Sequence, residues 1–440
     1  MQARLIGTLL CGAALGMASP ARAQDAAVTA PAAPEDAQAK IDRLEQQVQA
    51  LQKSIDEMKQ AMVKTTPSWK GAPQLEDKDA GWSFKPRGRL QYDVGYVSSP
   101  EGIGDPGLGF SNQLRRGRLG AEGTMPGGFG YRFEVDFTSG TEITDAFFTY
   151  TNGDLELTFG QHNNFQSLEE LTSSLHSSFI ERAAFTDAFG FQRAVGASAQ
   201  YKTGDLLMQA GLFTDNISDL NAVGDENNSY SADGRLVFMP KLGKNQLHFG
   251  ASLHRRELND AATSVRYRQR PAIASTDVRF IDTGSIAGAQ TETGMGLEAA
   301  GIFGPIYVAS ELFRQSVGRA GLSDPTFMGA YIDAGYFLTG ETRGYKDGRF
   351  DRVKVLKPFN KGGWGSLGVN ARWDYLDLTD QGIVGGTQNA FQLSLNWKPI
   401  DYVLFGLNLA HIRYDDAAIS ADGDRDYGVE VVGLRSQVDF

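Results

Sequence analysis

From Gly81 onward, apolar and polar residues alternate along the chain with a period of two. This period gives a β-strand one apolar face and one polar face. Four stretches repeat the pattern clearly, with apolar positions at Tyr131/Phe133/Val135/Phe137, Leu247/Phe249/Ala251/Leu253, Phe391/Leu393/Leu395/Trp397 and Val403/Phe405/Leu407/Leu409. We therefore predict an all-β domain over residues 81–440.

The polar faces of these strands carry charge, as Arg132, Glu134 and Asp136 show. In a soluble sandwich the apolar face would pack on a second sheet, whereas in a transmembrane barrel it meets lipid and the charged face lines water. Short turns such as 126–128 alternate with long polar loops, which favours the barrel. We predict an all-β transmembrane barrel of about 16 antiparallel strands, with fourteen or eighteen left open.

The last stretch of the chain has the same alternation and stops on Phe440. A terminal aromatic residue is expected of the last strand of outer-membrane barrels, and similarity to such proteins suggests that their assembly machinery binds it. If Phe440 faces lipid, the phase of the strand places three further residues toward lipid, Val438, Leu434 and Val432, and three toward water, Asp439, Gln437 and Arg435.

A different period precedes the barrel. Apolar residues recur at alternating spacings of three and four, which predicts a coiled-coil helix over residues 38–63; they are Ile41, Leu44, Val48, Leu51, Ile55, Met58 and Met62. The alternative is a lone amphipathic helix packed on the barrel. The pattern does not decide between a dimer and a trimer. We interpret residues 24–37, rich in Ala and Pro, as a flexible segment and residues 64–80 as a linker.

The N-terminus predicts export. Arg4, the apolar run Leu5–Ala18 and the small residues Ala21 and Ala23 have the arrangement of a signal peptide over residues 1–23. A membrane anchor is the alternative, but the apolar run is shorter than the ~20 residues of a spanning helix. We predict a location in the bacterial outer membrane, with outer-membrane lipid as a partner and the N-terminal helix in the periplasm.

One segment interrupts the strand pattern. Ser167 and Glu170 have the spacing of a capping box, in which Ser167 begins a helix and Glu170 follows at its third position. Glu169 adds a second acidic residue to the first turn. We predict a helix over 167–182 that folds into the lumen as a constriction; a helix in an external loop is the alternative.

Charge indicates what such a lumen would pass. The formal net charge of −11 argues against nucleic acid as a partner, but it does not exclude a basic lumen. Rows of arginines at alternate positions would share one face of a strand and bind phosphate-like anions. The candidate lumen residues are Arg116, Arg118, Arg132, Arg266, Arg268, Arg270 and Arg435. Ordinary lumen charge, balanced by carboxylates such as Glu122, Glu134 and Asp136, is an equal alternative.

Signals for catalysis are weak. The five histidines lack metalloprotease spacing, and we predict no enzyme activity, no catalytic residue, no metal and no cofactor. The single cysteine, Cys11, lies in the predicted signal peptide. The acidic stretch with Asp422, Asp424 and Asp426 resembles the start of a calcium loop, but a solvated outer loop is the better interpretation because the later ligand positions are missing.

Several motifs resemble the phosphate-selective porin O/P family, and the resemblance covers roughly residues 81–440. They are Gln113–Gly123, Gly130–Phe137, Phe165–Ser174, Phe179–Arg182, Phe280–Gly284, Gly335–Glu341 and Arg352–Tyr375. The resemblance implies a sixteen-stranded trimeric barrel that passes anions, notably phosphate or polyphosphate, along an arginine ladder to a constriction with lysines. The segment 160–165, where relatives often have a lysine, has none here.

These observations predict a porin for passive diffusion of small hydrophilic solutes, with a preference for small anions such as phosphate, assembled as a homotrimer. The alternative function is a structural or adhesive barrel with a periplasmic stalk and non-selective permeability.

Overall fold

The structure is a computed structural model that describes residues 37–65, 68–69, 71–220, 229–259 and 264–440. The predicted signal peptide and nearly all of the Ala/Pro-rich segment lie outside the described residues. Contacts divide the chain into two units, with the boundary between Met62 and Val63.

The second unit is a closed antiparallel β-barrel. β16 returns to β1, so that Val431 lies opposite Val97 and Asp439 lies opposite Arg89. The predicted barrel of sixteen strands is thereby confirmed. The wall strands are β1 (Trp82–Val97), β2 (Gly109–Met125), β3 (Phe129–Asp136), β4 (Glu142–Asn152), β5 (Leu155–Asn163), β6 (Arg193–Thr203), β7 (Leu206–Phe213), β8 (Tyr230–Phe238), β9 (Asn245–Glu257), β10 (Ala289–Phe303), β11 (Ile306–Arg319), β12 (Thr326–Phe337), β13 (Ser366–Asp380), β14 (Ile383–Ile400), β15 (Val403–Asp415) and β16 (Tyr427–Asp439).

The two ends of the barrel differ in their connections. One end, here the turn end, has tight turns at 126–128, 153–154, 204–205, 304–305 and 401–402. The other, the loop end, has long connections at 164–192, 214–229 and 258–288. The turn end has one long connection as well, 338–365, which contains the hairpin Gly344–Lys346/Arg349–Asp351 and the 3-10 helix Phe359–Lys361.

Side chains of the wall alternate between an exposed apolar outer face and a buried polar inner face. In β14, Phe391 is 62% exposed and Gln392 only 4%. In β16, Leu434 is 50% exposed and Arg435 only 4%. This is the pattern of a barrel with lipid outside and polar groups inside.

The long connection 164–192 folds into the barrel. It contains two short helices, α2 (Leu168–Leu171) and α3 (Ala184–Ala188), so the predicted helix over 167–182 is wrong beyond Leu171. The helix ends at Thr172, whose backbone is extended. The following residues are rich in Ser and Thr, whose side chains compete for backbone hydrogen bonds and disfavour helix interiors.

One long helix, α1 (Ala37–Thr65), makes up the described part of the first unit and ends three residues beyond the boundary. Its apolar seam is exposed from Ile41 to Ile55; the coiled coil remains a prediction. The predicted linker is partly sheet, because Ser68–Trp69 pairs with Pro73–Asp77 and the latter extends the edge of β1 with Leu75 opposite Phe84. Of the helices that are described, none has the length and apolar character needed to cross a bilayer.

Candidate functional site

Three cavities follow one another through the lumen. The loop-end cavity measures about 160 Å³, the central cavity about 330 Å³ and the turn-end cavity about 540 Å³. The loop-end and central cavities share three lining residues, Arg116, Glu170 and Arg182. The central and turn-end cavities share Arg132 and Arg349 among others. Neighbouring cavities therefore adjoin one another along the inside of the barrel.

The central cavity is cationic although the chain as a whole is acidic. Ten cationic and six carboxylate side chains line it, a formal excess of four positive charges. The cationic residues are Lys85, Arg87, Arg89, Arg116, Arg118, Arg132, Arg182, Arg193, Arg349 and Arg352, and the carboxylates are Glu122, Glu134, Asp145, Glu170, Asp351 and Asp439.

A β-bulge in β2 turns two adjacent arginines into the lumen. Gln91 of β1 lies opposite Arg116, and the next residue, Tyr92, lies opposite Leu114, so Arg115 has no partner across the ladder. A bulge of this kind interrupts the strict alternation of side chains. Arg115 therefore reaches the interior, where its guanidinium donates to both carboxylate oxygens of Glu181 at 2.9 and 3.1 Å.

Arg116 differs from its neighbour in its partner. Its Nη1 donates to the side-chain oxygen of Gln91, a neutral amide, at 2.9 Å. Within the described part of the chain, no carboxylate forms a salt bridge with it. By contrast, burial alone would raise the pKa of Glu181, but Arg115 and Arg435 hold that pKa well below its usual range. Arg115 is thus paired with an ionised carboxylate, whereas Arg116 is hydrogen-bonded to a neutral amide.

Helix α2 contributes Glu170 to the lining of the same two cavities as Arg116. The Ser167 side chain accepts from the Glu170 backbone N–H at 3.2 Å, as the capping pattern predicts, and Ser167 adopts a positive φ of 64°. Arg182 donates to the carbonyl oxygens of Glu169, Glu170 and Thr172, which satisfies the end of the helix. It also pairs with the Glu170 carboxylate at 3.1 Å. Burial raises the pKa of Glu170, against the opposing effect of Arg182.

Two carboxylates of the wall hold the short helices in place. Glu311 of β11 accepts the backbone N–H groups of Leu168 and Glu169 at 2.9 and 2.7 Å. Asp374 of β13 accepts the N–H of Ala184 at 2.9 Å. The first turn of a helix leaves such N–H groups without intrahelical partners, so both carboxylates stabilise the insert where each helix begins.

The turn-end connection 338–365 enters the lumen from the opposite side and meets the insert. The Phe350 N–H donates to the Thr172 hydroxyl at 3.3 Å, and His176 lies 3.4 Å from the Asp351 carboxylate. Burial lowers the pKa of His176 well below its usual range, and nearby cations add to the effect. This contact brings Arg349, from the same hairpin, to the boundary of the central and turn-end cavities.

The structure places the predicted arginines in three settings. Arg116, Arg118 and Arg132 line the central cavity, and Arg270 lines the loop-end cavity. Arg435 points inward, but its guanidinium is bound to Asp93 at 2.7 and 2.6 Å.

Arg266 and Arg268 are not in a wall strand, which corrects the expectation of a lumen row. They lie exposed in the connection 258–288, where Arg266 pairs with Asp282. Two short ladders occur in this connection, Ser264–Val265 with Ile286–Ala287 and Arg268–Gln269 with Ile281–Asp282; Arg268 belongs to the second, and Arg266 lies between them. Alternation by itself does not distinguish a loop ladder from a membrane strand.

Sequence reasoning missed several lumen cations. Arg87 and Arg89 lie an even number of positions from Asp93, which faces inward in the same strand. The alternation of side chains could therefore have identified them. Arg115, Arg182 and Arg349 could not be found this way, because a bulge and two inserted connections position them.

At the loop end, Asp424 and Asp426 accept backbone N–H groups within their own turn. No group of carboxylates, histidines and cysteines among the described residues is arranged to hold a metal ion.

A closed barrel with an apolar outer wall and a cation-lined lumen defines the class of outer-membrane porins. The chain belongs to the family described as phosphate-selective porin O and P, whose profile matches residues 84–440.

The chain is also similar to individual proteins over most of its length. An uncharacterized protein of Caulobacter vibrioides is 47% identical over 383 residues, which cover 85% of this chain and 77% of the relative. Porin O of Pseudomonas aeruginosa is 27% identical over 404 residues, covering 81% and 89%. The solved structure of an anion-selective porin from Comamonas acidovorans superposes with a TM-score of 0.52 at 12% identity, covering 82% and 100%, which shows the shared fold.

Proposed function

We propose that this porin passes small anions, phosphate among them, by passive diffusion through the three cavities. The observation that carries the proposal is Arg116. It lines both the loop-end and the central cavity, and its side chain is bound to a neutral amide. An anion that enters from the loop end therefore meets a cation that does not have to be released from a carboxylate first.

The charge arrangement suits transit as well as binding. A guanidinium replaces part of the hydration shell of an oxyanion with directed hydrogen bonds. Conduction also requires that the ion leave again. Arg118 and Arg132 are each paired with carboxylates, Asp136 and Glu122, at 2.7 and 2.9 Å. Such pairs lower the affinity for a passing anion, and Arg349 offers the next site toward the turn end.

The test replaces Arg116 with Gln, which keeps a hydrogen-bonding side chain and removes the charge. Loss of a charged hydrogen-bonding group is worth about 1.5–3 kcal/mol, so the phosphate concentration that blocks chloride current should rise roughly tenfold or more. Single-channel recording in chloride and phosphate salts measures it. The matched control is Arg268→Gln, the same change on an exposed loop residue. Unchanged block in Arg116→Gln, or a wild-type preference for cations, contradicts the proposal.

We further propose that the chains assemble as homotrimers, as the family resemblance implies, through the seam of the Ala37–Thr65 helix. The exposed apolar residues from Leu44 to Leu51 support an association of helices. The same observation favours the second candidate function, a periplasmic stalk. Deleting residues 38–63 distinguishes the role in trimer assembly from the role as a stalk. Mass measurement determines the oligomeric state, and single-channel recording determines conductance. The sensitivity of cells to detergent measures the integrity of the envelope. Conductance retained together with a fragile envelope supports a separate role for the stalk.

A further inference from the structure

An exposed aromatic and basic segment follows the lumen hairpin at the turn end. We define it as the rim turn, residues 354–364. Leu356 is 62% exposed, Phe359 64% and Trp364 86%. Three lysines of the same segment, Lys354, Lys357 and Lys361, are exposed as well. Nothing in the permeation path uses these residues, since none of them lines a cavity of the lumen.

Hydrogen bonds hold the rim turn in one shape. The Gly365 N–H donates to the Lys357 carbonyl at 2.9 Å, and the Gly363 N–H donates to the Pro358 carbonyl at 3.1 Å. A Cβ at Gly363 would lie 2.0 Å from the Lys357 oxygen, so only glycine fits there. The Val355 N–H donates to the Asp401 carboxylate at 2.8 Å, which fixes the turn to the β14–β15 turn. The aromatic exposure is therefore built into a fixed surface.

The rim turn is continuous with the outer wall of the barrel. The indole N–H of Trp397 donates to the Trp364 carbonyl at 2.8 Å. Trp397 stacks on Phe405 with ring centroids 5.5 Å apart, and both belong to the exposed apolar face of β14 and β15. Trp364 thus lies at the edge of the surface that meets lipid, where indole rings are favoured because one side is apolar and the other wet.

The rim turn is also positively charged, which suits a place beside the membrane surface. From Arg352 to Trp373 the chain has no carboxylate, although the molecule carries a net charge of −11. Short turns of outer-membrane barrels face the periplasm, so the rim turn adjoins the inner leaflet, which is built of phospholipids. Clustered lysines beside a membrane surface attract anionic headgroups.

We propose that the rim turn is a binding site for anionic phospholipid of the inner leaflet. Phe359 and Trp364 enter the interface, and Lys357 and Lys361 bind the headgroup phosphate. This site lies outside the lumen and serves to anchor the turn end of the barrel. The proposal depends on the barrel's place in the membrane but not on its selectivity for anions.

The test uses the full chain reconstituted into bilayers of phosphatidylethanolamine and phosphatidylglycerol at one fixed ratio. In separate preparations, one lipid or the other carries bromine near its headgroup, which quenches a nearby indole. The fluorescence difference between wild type and Trp364→Phe isolates the signal of Trp364. We expect brominated phosphatidylglycerol to quench that signal more than its share of the bilayer predicts.

A matched pair of variants tests the lysines. Lys357→Gln with Lys361→Gln should lower the preference for phosphatidylglycerol by roughly fivefold per lysine. Lys241→Gln with Lys244→Gln makes the same charge change on exposed lysines of another turn at the same end and should leave the preference intact. Quenching in proportion to bilayer composition overturns the proposal. So does an absence of quenching, which would leave the rim turn to a soluble partner. Because no current is measured, either result is independent of the Arg116 test.

Discussion

The lumen has two unlike halves. Along β1 to β6 the inner wall carries arginines and carboxylates that line the central cavity. Along β11 to β13 the inner wall packs closely against the connection 164–192. There Phe185 of α3 stacks on Phe313 at 5.6 Å and on Tyr331 at 6.3 Å, and it is completely buried. One half behaves as the core of a soluble protein and the other as a solvated path.

Arginine shows the difference best. Arg372, in the packed half, is bound to Glu169 and Asp333 at 2.8 and 2.9 Å and lies between the rings of Phe179 and Tyr331. A buried charge of this kind is tied to its partners and fixes the insert in position. Arg116, in the open half, has a neutral partner. The role of an inward-facing arginine in this barrel therefore depends on the side chains that surround it. Its orientation toward the lumen does not by itself show that role.

The largest effect should come from breaking the packed half. Phe185→Ala removes a fully buried ring, which costs about 3–5 kcal/mol in the free energy of unfolding. We expect α3 to loosen, single-channel conductance to rise and ion selectivity to fall. Denaturant unfolding and channel recording measure both. Phe391→Ala, a truncation on the outer wall, is the control and should leave conductance unchanged. A Phe185→Ala channel with wild-type conductance would show that the packed half does not set the pore.

A smaller effect concerns Glu170, where the two halves meet. Burial raises its pKa, so it gains a proton at a higher pH than an ordinary glutamate and leaves Arg182 without its counter-charge. Anion preference should therefore rise as the pH falls, by about 1 kcal/mol or roughly fivefold in the chloride-to-potassium permeability ratio.

Reversal potentials across a pH series measure this effect. Glu170→Gln should show the high preference at every pH. Glu181→Gln is the control. In the wild type the pKa of Glu181 is held below its usual range, so this residue stays ionised over the same pH interval and does not cause the response. The Glu181→Gln variant should therefore keep the wild-type pH response. A pH response retained in Glu170→Gln would assign the titration to another group.

The smallest effect should follow from Arg266→Gln combined with Arg268→Gln. Both residues are exposed in the connection 258–288 and lie outside the three cavities. Block of the chloride current by phosphate should stay within twofold of wild type, because salt screens the charge of exposed side chains that do not line a cavity. A tenfold weaker block would place these arginines on the path and extend the solvated half into the loop end.

The barrel was predictable because side chains in its wall alternate with a period of two. This local rule places Leu434 and Arg435 on opposite faces, and it requires no information about any other strand. The capping of α2 by Ser167 was equally local. The content of the lumen depends on contacts between distant residues. Glu311 holds Leu168 across the barrel, and Thr172 meets Phe350 from the opposite end, so no spacing in the sequence encodes them. Arg268 was wrongly assigned to the wall for the complementary reason, since it lies in a loop ladder, which has the same period as the wall.

The bulge at Arg115 has a consequence for how the family can vary. Leu114 and Arg116 lie opposite two consecutive residues of β1, Tyr92 and Gln91, so the ladder could close without a residue between them. Loss of Arg115 would therefore remove one lumen cation and leave every lipid-facing residue of β2 in register. An aligned relative with a one-residue gap at this point would be expected to have a differently charged entrance in an unchanged wall. The bulge lets a single codon deletion adjust the channel without rebuilding the barrel.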